Sequence, residues 1–294
     1  MPVSAGGAAG SFVGIAREAV YSPGKVEADR AILEQTAAEL VARGASARIV
    51  EPERLATVRR ADLVFAMCQG RAALRGLRRL EQAGIPVVHG ADPIEACHRR
   101  RMLPLLASAG VARPEARLVR ADRPGRADLD WVESRGSHGV WVKRGDVHAT
   151  EAGDVARVEG AAAVRETLAC LAARGIRRAV LEAHVPGQTI KFYGVVGTGF
   201  FRAYEGNGKD PLPARPDWME LGESGARALG LAIYGGDLIV DAAGRPWLVD
   251  VNDWPSFSRC HQDAALAIAQ YLLARLRVAR EAQAAPCPPD EEFA

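Results

Sequence analysis

The segment that most constrains the fold lies near the carboxyl terminus. "YGGDLIVDAAGRPWLVDVN" (Tyr234–Asn252) is two alternating apolar runs joined by a short glycine-containing link, the pattern of a β-hairpin. A two-residue turn at Ala243–Gly244 sets Asp241 opposite Pro246 and, further back, Asp237 opposite Asp250. Directly paired side chains lie about 4.5–5.5 Å apart, so two carboxylates there repel each other unless something positive lies between them. Strand alternation adds Asn252 to the face of Asp250 and turns Val249 and Val251 to the other face. Two carboxylates and an amide oxygen are hard ligands that suit Mg²⁺, an ion that keeps waters and shares its shell with phosphates. The alternative on the residues alone is a solvated strand face that ends at Trp254 and Pro255, with Asp253 as a cap on the far side.

The rest of the chain alternates strands and helices. "SFVGIA" (11–16), "ARIVE", "ADLVFAM" and "IPVVHG" read as strands, and the segments after the first and third as helices. This β-α-β-β-α-β unit ends near Ala91, and its loops "YSPGK" and "CQGR" follow strands, where such sheets place ligands. "DPIEACHRRRMLPLLASAG" reads as one helix closed by Gly110. "GVWVKRG" and "RAVLEAHV" are strands around a helix, "AAAVRETLACLAARG". "TIKFYGVVGTGFFRAYE" is an antiparallel pair turning near Gly197–Gly199, and "GESGARALGLA" is a helix. A last helix from about Asp263 to Glu281 precedes a polar tail, 282–294, expected to be disordered.

Composition narrows the partners. With 294 residues the chain can build two or three packed units, and a net charge of +2 gives no reason to expect nucleic acid or an anionic membrane as partner. No apolar run is long enough to span a bilayer. Five scattered cysteines without a C-x-x-C pair suit reduced thiols in the cytoplasm and no zinc site. All but four of the 38 basic residues are arginine, so Lys25, Lys143, Lys191 and Lys209 stand out as places for a compact ammonium.

Several blocks, in order, resemble the ATP-grasp superfamily. "GGDLIVDAAGRPWLVDVNDWPSF" is similar to its metal-binding end, "HRRRMLPLLASAGVARPEARLV" to the opening of its nucleotide-binding half, "GVWVKRG" to its phosphate-contacting lid strand and "AVLEAHVPGQTIKFYGV" to its hinge. The resemblance implies a mixed α/β and α+β chain: an N-terminal α/β domain over 12–91, a central lid domain over 92–185 and a C-terminal antiparallel-sheet domain with the metal site over 186–281. It implies ATP with one or two Mg²⁺ ions, held by Asp237, Asp250 and Asn252. Lys143 would touch nucleotide phosphates, Lys191 the nucleotide or acceptor, and Glu182, Ala183, His184 and Val185 would line the adenine. Where many members write Asp-Lys before the central helix this chain has "HRRR", so Arg99 or Arg100 would replace that lysine. His148, Arg202, Lys209 and Arg259 are candidates for the transferred phosphoryl group or the acceptor, with Tyr21–Lys25 from the N-terminal domain.

The function this implies is phosphoryl transfer from Mg-ATP to a small-molecule acceptor in a cytoplasmic monomer or homodimer. The commonest outcome in the superfamily is a carboxylate activated as an acylphosphate and ligated to an amine. Asp250-x-Asn252 and His148 are also similar to the inositol-phosphate kinases of the superfamily, which phosphorylate a hydroxyl, although no dense basic cluster for a highly phosphorylated acceptor is evident in the sequence. A third reading is a non-catalytic nucleotide-binding module. No Walker A, G-x-S-x-G or Cys/His signature points to other chemistry.

Overall fold

Parallel strands need crossovers, and the first third of the chain supplies them. In this computed structural model, which describes residues 10–147 and 151–284, β1 (Ser11–Ile15) leads through α1 (Val26–Ala42) to β2 (Ser46–Val50). Next, β3 (Leu63–Ala66) leads through α2 (Arg71–Gln82) to the short β4 (Val87–Val88). The sheet order is β2-β1-β3-β4, with every pair parallel. All four residues of β3 are buried, as in a strand covered on both faces. Ile32, Leu33 and Leu40 of α1 pack on one side, and Leu74, Leu77 and Leu80 of α2 on the other.

The single helix expected over "DPIEACHRRRMLPLLASAG" is two, α3 (Ala91–Ala96) and α4 (Arg99–Ser108). His98 between them is extended, with φ −66° and ψ 127°. The new helix start finds an outside partner, because Arg100 N–H donates to Gly145 O at 3.0 Å. The break matters for the site, since it turns Arg99 inward and leaves Arg100 exposed.

The second sheet, over the segment expected as a lid, comprises β5 (Ala116–Arg120), β6 (Val140–Arg144), β7 (Val155–Val158) and β8 (Arg178–Ala183), antiparallel in the order β5-β8-β6-β7. Val140 and Val142 enter a core with Leu129 and Trp131 of α5 (Arg126–Glu133) and Leu168 and Leu171 of α6 (Gly160–Ala173). Alternation therefore turns Trp141 and Lys143 to the opposite face. Neither α5 nor β7 was evident in the sequence.

The last sheet has five antiparallel strands: β9 (Gln188–Val195), β10 (Phe200–Glu205), β11 (Pro211–Leu212), β12 (Ile233–Val240) and β13 (Pro246–Asp253), in the order β11-β10-β9-β12-β13. One face carries Ile190, Phe192, Leu248 and Val251, packed with Trp218 and Ala226 of α7 (Pro216–Ala228), which begins earlier than its pattern suggested. On the other face, α8 (His261–Ala284) covers Val195, Ile233 and Trp254, and leaves Lys191, Asp237 and Asp250 half-buried at a cleft. α8 runs three residues into the segment expected as tail.

The hairpin departs from expectation in an instructive way. Its turn is longer: the last ladder pair is Val240–Pro246, and Asp241 N–H donates to Arg245 O at 3.0 Å around Gly244, whose φ is +77°. The Asp241 carboxylate accepts from Trp247 Nε1 at 3.0 Å and from the N–H groups of Ala243 and Arg245 at 2.9 and 3.0 Å, which hold its pKa down to about 2. The register near the turn is thus one residue off the expected one. A β-bulge then restores it, because Leu238 pairs with Leu248 but Asp237 pairs with Asp250, leaving Val249 over. Val249 consequently lines the same cleft as Asp250, not the face of Val251.

Candidate active site

Facing carboxylates need positive charge nearby, for which a Mg²⁺ ion between them was expected; the fold itself sets a side-chain cation against each. Asp237 lies between Lys191 of β9 and Asp250 of β13 in register. Lys191 Nζ donates to Asp237 Oδ1 at 2.8 Å, and Arg99 Nη2 donates to Asp250 Oδ2 at 3.1 Å. Burial works against the charge on Lys191, yet the adjacent Asp237 carboxylate leaves its pKa above the usual lysine value. The Arg99 guanidinium is nearly sealed, with 7% of its side chain exposed, and its Nε has no hydrogen-bond partner among the described residues.

The sheet of β5–β8 supplies the rest of the cleft. Lys143 Nζ donates to Glu182 Oε1 at 2.6 Å, and both side chains are buried. Burial pushes the Glu182 carboxyl up, and Lys143 opposes that shift. Two residues away on the same face, Trp141 Nε1 donates to His184 Nδ1 at 3.2 Å. That bond requires an unprotonated Nδ1, so the neutral imidazole carries its hydrogen on Nε2. Burial lowers the His184 pKa, which favours this neutral form. The resulting cleft, about 460 Å³, is lined by the apolar groups of Trp141, Val185 and Ile239 and by the charged ones of Arg99, Lys143, Lys191, Asp237 and Asp250. A cleft that combines apolar walls with cations and carboxylates can take a ligand that is part apolar and part anionic.

Beyond Lys191 the cleft meets a smaller hollow of about 170 Å³, which Lys191 also lines. Asn252, Tyr193 and Ser256 come from the C-terminal domain, and Arg17, Tyr21, Lys25, Asp29 and Gln69 from the N-terminal one. Arg17 ties the two together: its guanidinium donates to Asp29 Oδ2 at 3.2 Å, to Met67 O at 3.1 Å and to Trp254 O at 2.7 Å. Gln69 Nε2 donates to Asp253 Oδ1 at 3.0 Å in a buried contact, so Asp253 is an inter-domain link where a cap was expected. Just beyond, Trp254 and Phe257 hold φ values of 32° and 48°. Such conformations cost about 1–3 kcal/mol each for a side-chain-bearing residue. Complete burial of both rings, with Trp254 stacked on Phe65 at 5.7 Å, offsets that cost.

Most of the residues singled out in the sequence meet here. Arg99, Lys143, Glu182, Ala183, His184, Val185, Lys191, Asp237 and Asp250 line the larger cleft, and Asn252 lines the hollow beside it. Others do not. Arg202 pairs with Asp263 at 2.8 Å and borders a separate surface hollow, because its position on β10 turns it to α8. Arg259 lies over the Tyr204 ring at 5.2 Å and donates to Gly206 O at 2.7 Å, bracing a loop that borders the cleft. Arg100 lines a different, larger cleft, and Lys209 is exposed away from these cavities. His148 lies outside the described residues. Arg17 and Gln69 went unnamed; their only signal was a place just after β1 and β3.

Among the described residues no group of three or more His, Cys, Asp and Glu gathers as a metal site. The oxygen set here is two carboxylates and an amide, Asp237, Asp250 and Asn252, which is incomplete alone. Asp237 and Asp250 face the cleft, each held by a cation, and Asn252 faces the hollow beside it; all three are hard oxygen donors, the type that suits a cation sharing its shell with phosphate and water.

No family model matches the sequence, and no curated protein does either. Solved structures do. The D-alanine–D-alanine ligase from Bacillus anthracis complexed with ATP superposes with a TM-score of 0.71 at 14% identity, covering 92% of this chain and 98% of that one. The D-cycloserine synthetase DcsG gives 0.69 at 19% identity over 90% of this chain and 99% of its own. The ATP-grasp ligase PsnB, complexed with precursor peptide PsnA2 and AMPPNP, gives 0.64 at 14% identity over 90% and 97%. Nearly the whole of this chain, from the parallel N-terminal sheet to the bulged hairpin, therefore has the ATP-grasp fold.

Proposed function

We propose that the protein is an ATP-dependent carboxylate–amine ligase. The observation that carries this reading is Lys191, which stands in both the nucleotide-sized cleft and the small hollow and so joins a phosphate end to an acceptor end. The hollow holds cations at Arg17, Lys25 and Lys191 and acids at Asp29 and Asp253, a mixture suited to a substrate with both acidic and amine groups. The solved structures of similar fold include ligases by name, which supports the same direction. In the reaction class, a carboxylate oxygen takes the γ-phosphoryl group of ATP with release of ADP. An amine then attacks the acyl carbon and phosphate leaves.

The side chains have separable tasks. Trp141, Ala183, His184 and Val185 hold the base, with the Val185 peptide and the His184 Nε2–H as polar contacts. Lys143, Arg99 and Lys191 neutralise phosphate charge in a site where burial strengthens each interaction. Glu182 keeps the Lys143 ammonium aimed at the cleft. Asp237, Asp250 and Asn252 would hold Mg²⁺, which when bound supplies charge neutralisation for phosphoryl transfer. Arg17 and Gln69 fix the N-terminal wall of the acceptor hollow. No nucleophilic side chain is required. Among the described residues Cys68, Cys97, Cys170 and Cys260 are free thiols.

The test is incubation with Mg-ATP and pairs of amino and carboxylic acids, reading phosphate release and product mass together. ADP, free phosphate and a condensed product in equal amounts support ligation. A phosphorylated product without free phosphate, or nucleotide binding with no turnover for any pair, refutes it.

A further inference from the structure

A cavity larger than the nucleotide cleft lies on the other side of the acceptor hollow. It measures about 1120 Å³ and separates the N-terminal domain from the edge of the lid. Arg71 comes from the start of α2, Arg100 from the start of α4, and Arg177 and Arg178 from the lid segment that opens β8. None of the four forms an ion pair with a described residue. The carboxylates in the cavity are already engaged. Asp122 accepts from Arg120 at 2.6 Å, Asp146 from Arg144 at 2.8 Å, and Glu95 from Arg101 at 2.6 Å. Arg177 adds to the positive field that keeps the Asp122 carboxyl low, after the hydrogen bond from Arg120. His98 lines the same space.

A chain so rich in arginine places many of them on its surface. Some hold an acid: Arg30 holds Glu34 and Glu51, Arg215 holds Asp217, and Arg245 holds Asp241. Others, such as Arg48, Arg60 and Arg75, are exposed without an ion pair to a described residue; what sets Arg71, Arg100, Arg177 and Arg178 apart is that they line one cavity. Four guanidiniums from three separate segments line one cavity whose acids are held by other arginines, so its field favours an anion. The cavity also has a door. Tyr21 and Gln69 line both it and the acceptor hollow, so a molecule with its reacting group beside Lys191 extends directly among these arginines. This is the basic cluster that the sequence did not reveal, because its members are 29 residues or more apart except for the neighbouring Arg177 and Arg178.

We propose that this arginine cleft binds a second, anionic portion of the acceptor, a phosphate or a pair of carboxylates, so that the ligated substrate is a polyanion and not a simple amino acid. The proposal rests on the ligase reading. Guanidinium forks take either oxyanion in bidentate fashion, so the shared chemistry is a planar or tetrahedral cluster of anionic oxygens.

The test uses the full chain saturated with Mg²⁺ and AMPPNP, whose binding is measured first. Inorganic phosphate and tricarballylate are then titrated calorimetrically at low and high salt. Either probe should bind and weaken with salt. A phosphate-only response identifies a phosphate-bearing acceptor, and a tricarballylate-only response a polycarboxylate one. The double variant Arg71→Ala/Arg178→Ala, which removes two guanidiniums, should weaken binding at least about tenfold. Arg79→Ala/Arg165→Ala, which removes equal charge from α2 and α6 outside the cleft, should change it less than about twofold. Unchanged AMPPNP affinity in both variants shows that they are folded. If AMPPNP binds and neither probe does, or if both double variants lose equally, the arginine cleft is refuted alone. If AMPPNP itself fails to bind, the ligase reading falls and this inference falls with it.

Discussion

The imidazole of His89 makes stability at mildly acid pH a sharp test of how the domains are joined. His89 follows β4 and is 3% exposed. Its Nε2 accepts two backbone N–H groups of the C-terminal domain, those of Ala232 and Ile233, both at 3.0 Å. An acceptor nitrogen cannot carry a proton, so the ring is neutral in the folded chain. Burial moves its pKa from 6.5 down to about 4, against the pull of Asp253 nearby. In the unfolded chain it titrates near its ordinary value. As pH falls below about 6.5 the unfolded state therefore takes up the proton first. The stability contributed by the neutral ring is whole above that pH and drains until the folded pKa is reached. Between about pH 7.5 and about pH 5 the loss comes to about 2 kcal/mol. His89→Gln keeps an acceptor for the two N–H groups but does not titrate. Urea unfolding at both pH values should show the parent chain losing about 2 kcal/mol more than the variant over this interval, since other groups cancel in the comparison. Equal losses would refute the assignment of His89 as a neutral, doubly accepting link.

Other expectations are simpler to read. Lys143→Ala strands a buried Glu182 and should cost about 3 kcal/mol in thermal or urea unfolding. Lys143→Met with Glu182→Leu should recover much of that stability without recovering AMPPNP affinity, which separates the structural and nucleotide roles of the pair. Asp250→Asn keeps an oxygen for Arg99 but loses a charge at the metal face, so phosphate release in the ligation assay should fall at least about a hundredfold with little change in melting temperature; Mg²⁺-saturable activity near the parent level would overturn the ligand assignment. Arg17→Met releases the Trp254 carbonyl and Asp29, and should raise the acceptor KM about tenfold while the AMPPNP affinity stays within about twofold.

What could be read in the sequence was whatever obeys a local period. The pairing of Asp237 with Asp250, the lid strand with Lys143 and the antiparallel β9–β10 turn all follow from alternation and glycine placement. Long-range contacts were not readable. Arg17 reaches Trp254 across 237 positions, and nothing in either neighbourhood marks the other. The helix break at Cys97–His98 was hidden for the same reason: the carbonyl that accepts from the new first turn belongs to Gly145. The pairing of Asp237 with Asp250 was reached although the turn was read as shorter than it is, because one extra residue in the turn is matched by one extra residue in the strand.

That extra residue separates two selections that a regular strand would force to agree. Leu248 and Asp250 are two apart, and strict alternation would give them one face; either the core would receive a carboxylate or the cleft would lose one. With Val249 bulged, the residue at 248 is chosen by the fit against α7 and the residue at 250 by chemistry, and neither constrains the other. Position 249 itself is left answerable to the cleft alone. It is a place where the width of the cleft can be changed by substitution while hairpin pairing and core stay the same.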